Sequence, residues 1–285
     1  MLKRAARTVL HSLGAIHCFR SLHRRGLRIL MYHHFRSDTN LRAQCEHIRR
    51  FYHPVTLDEV AAAEALPANA VAITVDDGYR NFLTNGYPVF REFKIPVTMY
   101  LVSDFIDRKI WLWWDVIDYL LGNQDVCERL KRIPNNERLR NIDAIVGESE
   151  LPSCPPEKCA PLTWDEIREL ARDGVTFGAH TKTHPILSRI ADGQELQEEI
   201  ATSKRRIEEE LEHQVTHFCY PNGRYEDFTA ATVDAVAAAG FQTAVTAEPG
   251  INFPGAPPFL LNRLGVEPDM PMPYFSELLA GVRTQ

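Results

Sequence analysis

The chain has 285 residues, with 32 Lys and Arg against 38 Asp and Glu, a formal net charge of −6, 45% hydrophobic and 25% charged residues. That composition is globular and excludes collagen, coiled-coil and disordered classes. At about 100–200 residues per domain it allows one large domain or two small ones. With no overall positive field, nucleic acid is not an expected partner.

Residues 1–37 carry Lys3, Arg4, Arg7, Arg20, Arg24, Arg25, Arg28 and Arg36, with no acid before Asp38. Leu2, Val9, Leu13 and Ile16 recur at near-helical spacing, so residues 1–26 are expected to form a basic helix. It either packs on its own domain or rests on an anionic membrane surface. His11, Ser12 and His17 interrupt the apolar stretch, so a secretory signal is not expected, and no run reaches the ~20 apolar residues of a span. The expected location is the cytoplasm or the periphery of the inner membrane surface rather than the exterior. Cys18, Cys45, Cys127, Cys154, Cys159 and Cys219 are scattered, which reads as mostly reduced thiols. The close pair Cys154 and Cys159 forms a loop disulfide or two idle thiols, since it lacks zinc-knuckle spacing.

From residue 27 onward apolar runs alternate with helical patterns. Strands are expected at 28–35, 70–75, 97–102, 175–179, 216–220, 241–246 and 260–266. Helices are expected at 85–93, 163–172, 195–211 and 229–239, the second opening with the capping box Thr163 to Glu166 and stopping at Gly174. This is an α/β fold, a closed or nearly closed barrel of about seven strands. Residues 104–162 break the rhythm and read as an insertion, functional or a cover. Within it Trp111, Trp113 and Trp114 suit either a sugar ring or the core, and clustered tryptophans at a helix start are more often core.

Two strand ends carry chemistry. The apolar run 70–75 empties into Asp76-Asp77-Gly78, where a turn allows both carboxylates into one site. One would hold a metal while the other takes a proton from water; the competing reading is a plain Asp-Gly turn. The run 175–179 empties into His180-Thr-Lys-Thr-His184-Pro185. Two histidines plus one carboxylate make a facial ligand set, against the alternative of two surface histidines. Both motifs lie at C-terminal strand ends, where barrel enzymes place their sites. They are roughly 100 residues apart and must meet in one mouth, so residues 27–285 are read as one domain containing the 104–162 insertion.

Thr74-Val-Asp76-Asp77-Gly78 and His180-Thr-Lys-Thr-His184-Pro185 resemble the first two motifs of the polysaccharide deacetylases, carbohydrate esterase family 4, over about residues 27–265. The resemblance implies a deformed (β/α) barrel and one divalent metal, often zinc. Its ligands would be Asp77, His180 and His184, with Asp76 as general base. The family's third motif, Arg-Pro-Pro-Tyr-Gly, is matched here by Cys219-Tyr220-Pro221-Asn222-Gly223, so the arginine that orients the base is missing. Arg263 is the expected replacement; Arg224 is nearer in sequence but past the turn. The backbone N–H near Asn222 still serves as an oxyanion donor.

The family's late Leu-x-His is absent too, since no histidine follows His217. The strand ILMYHHF resembles a permuted, exopolysaccharide N-deacetylase-like branch in which His33 is the general acid. Neighbours on a strand point opposite ways, so His34 is expected to stay outside the mouth. The implied activity is removal of N-acetyl or similar N-acyl groups from amino sugars of a surface or exopolysaccharide or its precursor, with that acylated sugar as the partner. The alternatives are a deformylase or amide hydrolase on a lipid-linked or small substrate, a non-catalytic carbohydrate-binding relative, and a membrane-surface adaptor.

Overall fold

A computed structural model describes residues 14–36, 40–147, 149, 151–153 and 155–283. The apolar runs become β1 (Arg28–Tyr32), β2 (His53–Pro54), β3 (Ala70–Val75), β4 (Val97–Leu101), β5 (Thr176–Ala179), β6 (His217–Cys219), β7 (Thr243–Pro249) and β8 (Leu261–Gly265). β1 pairs with both β3 and β8, and β3 through β8 pair in sequence, so seven parallel strands close into a barrel. The two-residue β2 lies outside this ring, taking the start of β3 at Ala70 and Val71 on the edge that β4 takes from Ile73 onward.

Period-two alternation sorts each strand into an inner and an outer row. Ile29, Ala70, Ala72, Tyr100, Cys219, Val245 and Leu261 form one buried cluster, the barrel interior. Leu30, Tyr32, Val71, Ile73, Val75 and Phe177 belong to the larger layer beneath the helices. Small residues suit the narrow interior. At Gly178 an added Cβ would stand 2.5 Å from the Tyr100 ring and 2.8 Å from the His217 carbonyl, so only glycine fits.

Around the barrel run α1 (Ala15–Leu22), α2 (Leu41–Phe51), α3 (Leu57–Ala62), α4 (Tyr87–Glu92), α5 (Ser103–Ile106), α6 (Trp113–Leu121), α7 (Gln124–Leu130) and α8 (Asn135–Val146). They continue with α9 (Trp164–Arg172), α10 (Gly193–Leu211), α11 (Ala230–Ala238) and α12 (Met272–Ala280). The Thr163–Glu166 capping box forms as the sequence indicates. The helix expected at 85–93 instead begins with a π-helical turn, Phe82–Gly86, before α4. Gly86 lies under the Phe35 ring there, where a Cβ would be 2.7 Å away. The strand expected to reach residue 35 ends at Tyr32, so His33 and His34 leave the sheet.

The 104–162 segment carries α6, α7 and α8 around a small core of Trp113, Ile117, Cys127 and Leu130. Of the basic leader, residues 15–22 are helical and residues 1–13 lie outside the described set. Cys18, Cys45, Cys127, Cys159 and Cys219 are free thiols; Cys154, and with it the expected 154–159 pair, lies outside the described residues. Among the described residues no helix is long and apolar enough to cross a membrane.

Candidate active site

The inner rows, extended past the strand ends, build the site. Ala70, Ala72 and Thr74 put Asp76 on the inner side of β3; Ile29 and Met31 do the same for His33, Leu261 for Arg263, and Gly178 for His180. Asp77 would then point outward, but its φ of 74°, followed by Gly78 at 93°, turns the chain so that its carboxylate joins the cluster. Aspartate is among the few side chains that accept this conformation.

Asp76 is 1% exposed and Arg263 likewise 1%. Arg263 Nη1 donates to Asp76 Oδ1 at 2.7 Å and Nη2 to Oδ2 at 2.8 Å. The remaining three N–H groups donate to the Thr246 carbonyl, Thr74 Oγ1 and Cys219 Sγ. All five guanidinium donors are therefore used. Burial alone would raise the Asp76 pKa, but Arg263, with His33 and His180, outweighs it and holds the carboxyl well below its ordinary range. Cys219 fills the space beside this pair, its thiol 3.6 Å from Asp76 Oδ2. Arg224 stands elsewhere, 3.7 Å from Glu248.

Asp77, His180 and His184 are all buried, and their ligand atoms lie within 4.8 Å of one another. The two Nε2 atoms are 3.1 Å apart, and Asp77 Oδ1 is 3.6 Å from the first and 3.7 Å from the second. His180 Nδ1 lies 2.8 Å from the Cys219 carbonyl; a proton there leaves Nε2 with its lone pair. Burial lowers the His180 pKa to about 4 and holds His184 well below its ordinary value, so both rings are neutral. Burial, then the Asp76 and Asp115 charges, pushes the Asp77 carboxyl up. Two neutral imidazoles and one carboxylate in need of a compensating positive charge fit a divalent cation of the zinc type.

His33 Nε2 is 3.6 Å from Asp76 Oδ2, and its side chain keeps 40% of its surface exposed. His34 also borders the cleft, contrary to the expectation that only one of the two would. Having left the strand, it is free of the alternation rule. Its ring lies 4.1 Å from Tyr79 and its Nδ1 is 3.1 Å from Asn81 Nδ2. Asn222 lies in the cleft wall with φ of 58°.

The cleft above these groups measures about 1090 Å³. One wall belongs to the 104–162 segment through Trp113, Trp114, Asp115, Lys131, Lys158 and Cys159. Trp114 belongs both to the packed layer and to the cleft wall. Its ring packs edge-on against His184 at 4.5 Å, and its Nε1 donates to Tyr79 Oη at 2.9 Å. Tyr79 in turn donates to Asp115 at 2.8 Å. Tyr79, next to the DDG turn and buried behind the cleft wall, braces Trp114 and Asp115, a role the sequence did not indicate.

The sequence pattern of the family described as polysaccharide deacetylase matches residues 63–244, more than half of the chain. The chain belongs to this family. It is 24% identical over 256 residues to YxkH of Bacillus subtilis, a protein named for the same family, covering 86% of this chain and 72% of that one. It is also 24% identical over 135 residues to the poly-β-1,6-N-acetyl-D-glucosamine N-deacetylase of Escherichia coli, covering 46% of this chain but only 15% of that protein. The structure of IcaB from Ammonifex degensii superposes with a TM-score of 0.62 at 20% identity, over 90% of this chain and 96% of that one. The match at 63–244 leaves out both His33 and Arg263.

Proposed function

We propose that this deacetylase-family chain is a metal-dependent N-deacetylase acting on acylated amino sugars of a surface or exopolysaccharide or its precursor. The observation that carries this is the buried Asp77, His180 and His184 cluster set directly against an arginine-locked Asp76. A divalent cation held by those three side chains supplies Lewis-acid polarisation of the acyl carbonyl and a lowered pKa for water.

The chain's own groups do the rest. Asp76, kept ionised by Arg263, accepts a proton from the attacking water. The Asn222 backbone N–H donates to the oxygen on which negative charge develops. His33, beside Asp76 and open to the cleft, delivers a proton to the departing amine nitrogen. The products are a carboxylate and a free amino sugar. Arg263 supports the enzyme over the non-catalytic relative, because it restores the guanidinium that Cys219 displaced.

The test is acetate and free-amine release from β-1,6-linked N-acetylglucosamine oligomers, with and without prior chelation. Chelation should abolish release and Zn²⁺ or Co²⁺ restore it, while Asp76→Asn keeps its cation yet stays inactive. Undiminished release by Asp76→Asn would overturn the mechanism.

For the membrane expectation, the supporting feature is a basic and aromatic face at the barrel end opposite the mouth. Arg24, Arg25, Arg49 and Arg50 are exposed there, with Phe19 at 38%, Leu22 at 72% and Phe253 at 48% exposure. The Arg20 and Arg50 guanidinium carbons lie 4.4 Å and 5.0 Å from the Phe51 ring centroid. Such a face suits peripheral contact with an anionic bilayer, leaving the mouth turned outward.

A further inference from the structure

Between His180 and His184 the chain passes through Thr181, Lys182 and Thr183 in a conformation it would not hold alone. Thr181 has φ of 65° and His184 of 58°. A β-branched residue in that region is strained and persists only where its surroundings fix it. Part of the fixing is local, since the His184 N–H donates to Thr181 Oγ1 at 3.0 Å.

The rest comes from a carboxylate to which the chemistry above gives no part. Glu199, on α10, is 7% exposed. Its Oε2 accepts the N–H of Lys182 at 3.0 Å and of Thr183 at 2.9 Å, and its Oε1 accepts Thr183 Oγ1 at 2.7 Å. From the other side, Ser103 and Asp104 at the start of α5 donate their N–H groups to the carbonyls of Thr181 and Lys182. Behind the carboxylate lies Arg138 of α8, 2% exposed, whose charge faces Glu199 and Glu195. Its Nη2 donates to Asn135 Oδ1 at 2.7 Å, while Nε and Nη1 have no hydrogen-bond partner among the described residues. Burial pushes the Glu199 carboxyl up, and the hydrogen bonds from Thr183 and Lys182 oppose that shift by favouring its charged form.

We propose that Glu199 is a positioning residue for the cation site: its carboxylate clamps the 181–183 loop so that His180 and His184 aim their Nε2 atoms at one point. This rests on the reading of Asp77, His180 and His184 as cation ligands. Hydrogen bonds to an ionised acceptor are roughly twice as strong as neutral ones. Losing this acceptor strands the Thr183 N–H, leaves the Lys182 N–H only the Glu199 backbone carbonyl, and frees the turn that sets the second histidine. Asn135, which accepts from Arg138 and donates to Glu195 Oε1 at 2.6 Å, ties the 104–162 segment to α10.

The experiment is titration of cation-free protein with Co²⁺ and Zn²⁺, without substrate, comparing wild type, Glu199→Ala, Glu199→Gln and the exposed control Glu198→Ala. Glu199→Gln is decisive, since it keeps the volume but turns one acceptor oxygen into a donor against a cluster of donors. Both Glu199 variants should bind Co²⁺ at least ~10-fold more weakly and show an altered Co²⁺ d–d band, as expected when a group orienting metal ligands is lost. Glu198→Ala should match wild type in both. A Glu199→Gln protein with wild-type circular dichroism, Co²⁺ affinity and d–d band would overturn the proposal, and it does so even if Glu199→Ala fails to fold. Because no substrate is present, that result is separable from failure of the deacetylase reading, which the release assay decides.

Discussion

Arg263 and Asp76 meet through two parallel hydrogen bonds of 2.7 and 2.8 Å, although one lies on the last barrel strand and the other just beyond β3. Both are fully enclosed, and the thiol of Cys219 sits against the pair with 3.1 Å between Sγ and Arg263 Nη2. Arg263 thus supplies from β8 a guanidinium to Asp76, and the small Cys219 leaves room for it.

Arg263→Met should remove this lock and leave a buried carboxylate unpaired. Breaking a buried ion pair from one side costs about 3–5 kcal/mol, read by urea unfolding. The sign on activity follows from the direction of the Asp76 shift. A base held below its ordinary pKa works across the mildly acidic range; without Arg263 its pKa rises, and the acid limb of kcat/KM moves to higher pH. A limb in the same place as wild type would remove Asp76 from the role of base.

Transferring the arginine back gives a sharper test of the same pair. Cys219→Arg alone should destabilise, because a second guanidinium would enter a fully buried space beside the first. Combined with Arg263→Met, it should recover part of both stability and turnover. The measurement is a double-mutant cycle, and a coupling near zero would show that the two positions do not share one task.

His33→Ala should lower kcat by about 10²–10⁴-fold, the range of a general acid. His34→Ala should cost far less, since its ring rests on Tyr79 and Asn81 rather than on Asp76. Equal losses in steady-state kinetics would contradict the assignment.

Away from the site, Asp107 gathers Arg206, Lys109 and the Trp164 N–H between 2.7 and 3.1 Å. Burial alone would raise its pKa, but these partners bring it down to about 2. Stability from a depressed carboxyl is present above the unfolded value near 4 and is lost as pH falls toward 2. Asp107→Asn should therefore cost about 2 kcal/mol at neutral pH and flatten the decline in stability between pH about 4 and 2, measured by denaturant unfolding across pH. A parallel decline in both proteins would refute the linkage.

Vesicles test the basic face. Sedimentation with phosphatidylcholine containing phosphatidylglycerol should capture the full chain, release it as salt rises, and lose it when Arg24, Arg25, Arg49 and Arg50 become Glu. Equal capture by neutral vesicles would point to the apolar side chains instead, and no capture at low salt would refute the contact.

The sequence exposed those parts of the site that depend on strand parity. An apolar run that alternates and then empties into Asp76 or His180 carries its own direction, so motif and placement could be read together. The Arg263 contact was also legible, because the gap at Cys219 called for a guanidinium and few late arginines sit in an apolar strand. Asp77 was legible from the Asp-Gly turn rather than from parity, and it reaches the cluster through a positive φ. Other features escaped for definite reasons. His34 borders the cleft because the strand stops at Tyr32, and strand ends are poorly marked by composition. Glu199 escaped because one inward carboxylate on a heavily charged 19-residue helix leaves no mark in the pattern.

The pairing of β1 with β8 places the first and last strands of the barrel side by side. His33 arrives from one and Arg263 from the other, so the groups that flank Asp76 come from the seam where the ring is joined, while the three proposed cation ligands come from its continuous part. A fragment ending at residue 247 would retain every cation ligand yet have neither a closed ring nor Arg263. Cation capture and turnover should therefore be separable by where the chain is cut, and a permutant that links the present ends and opens elsewhere should preserve the seam.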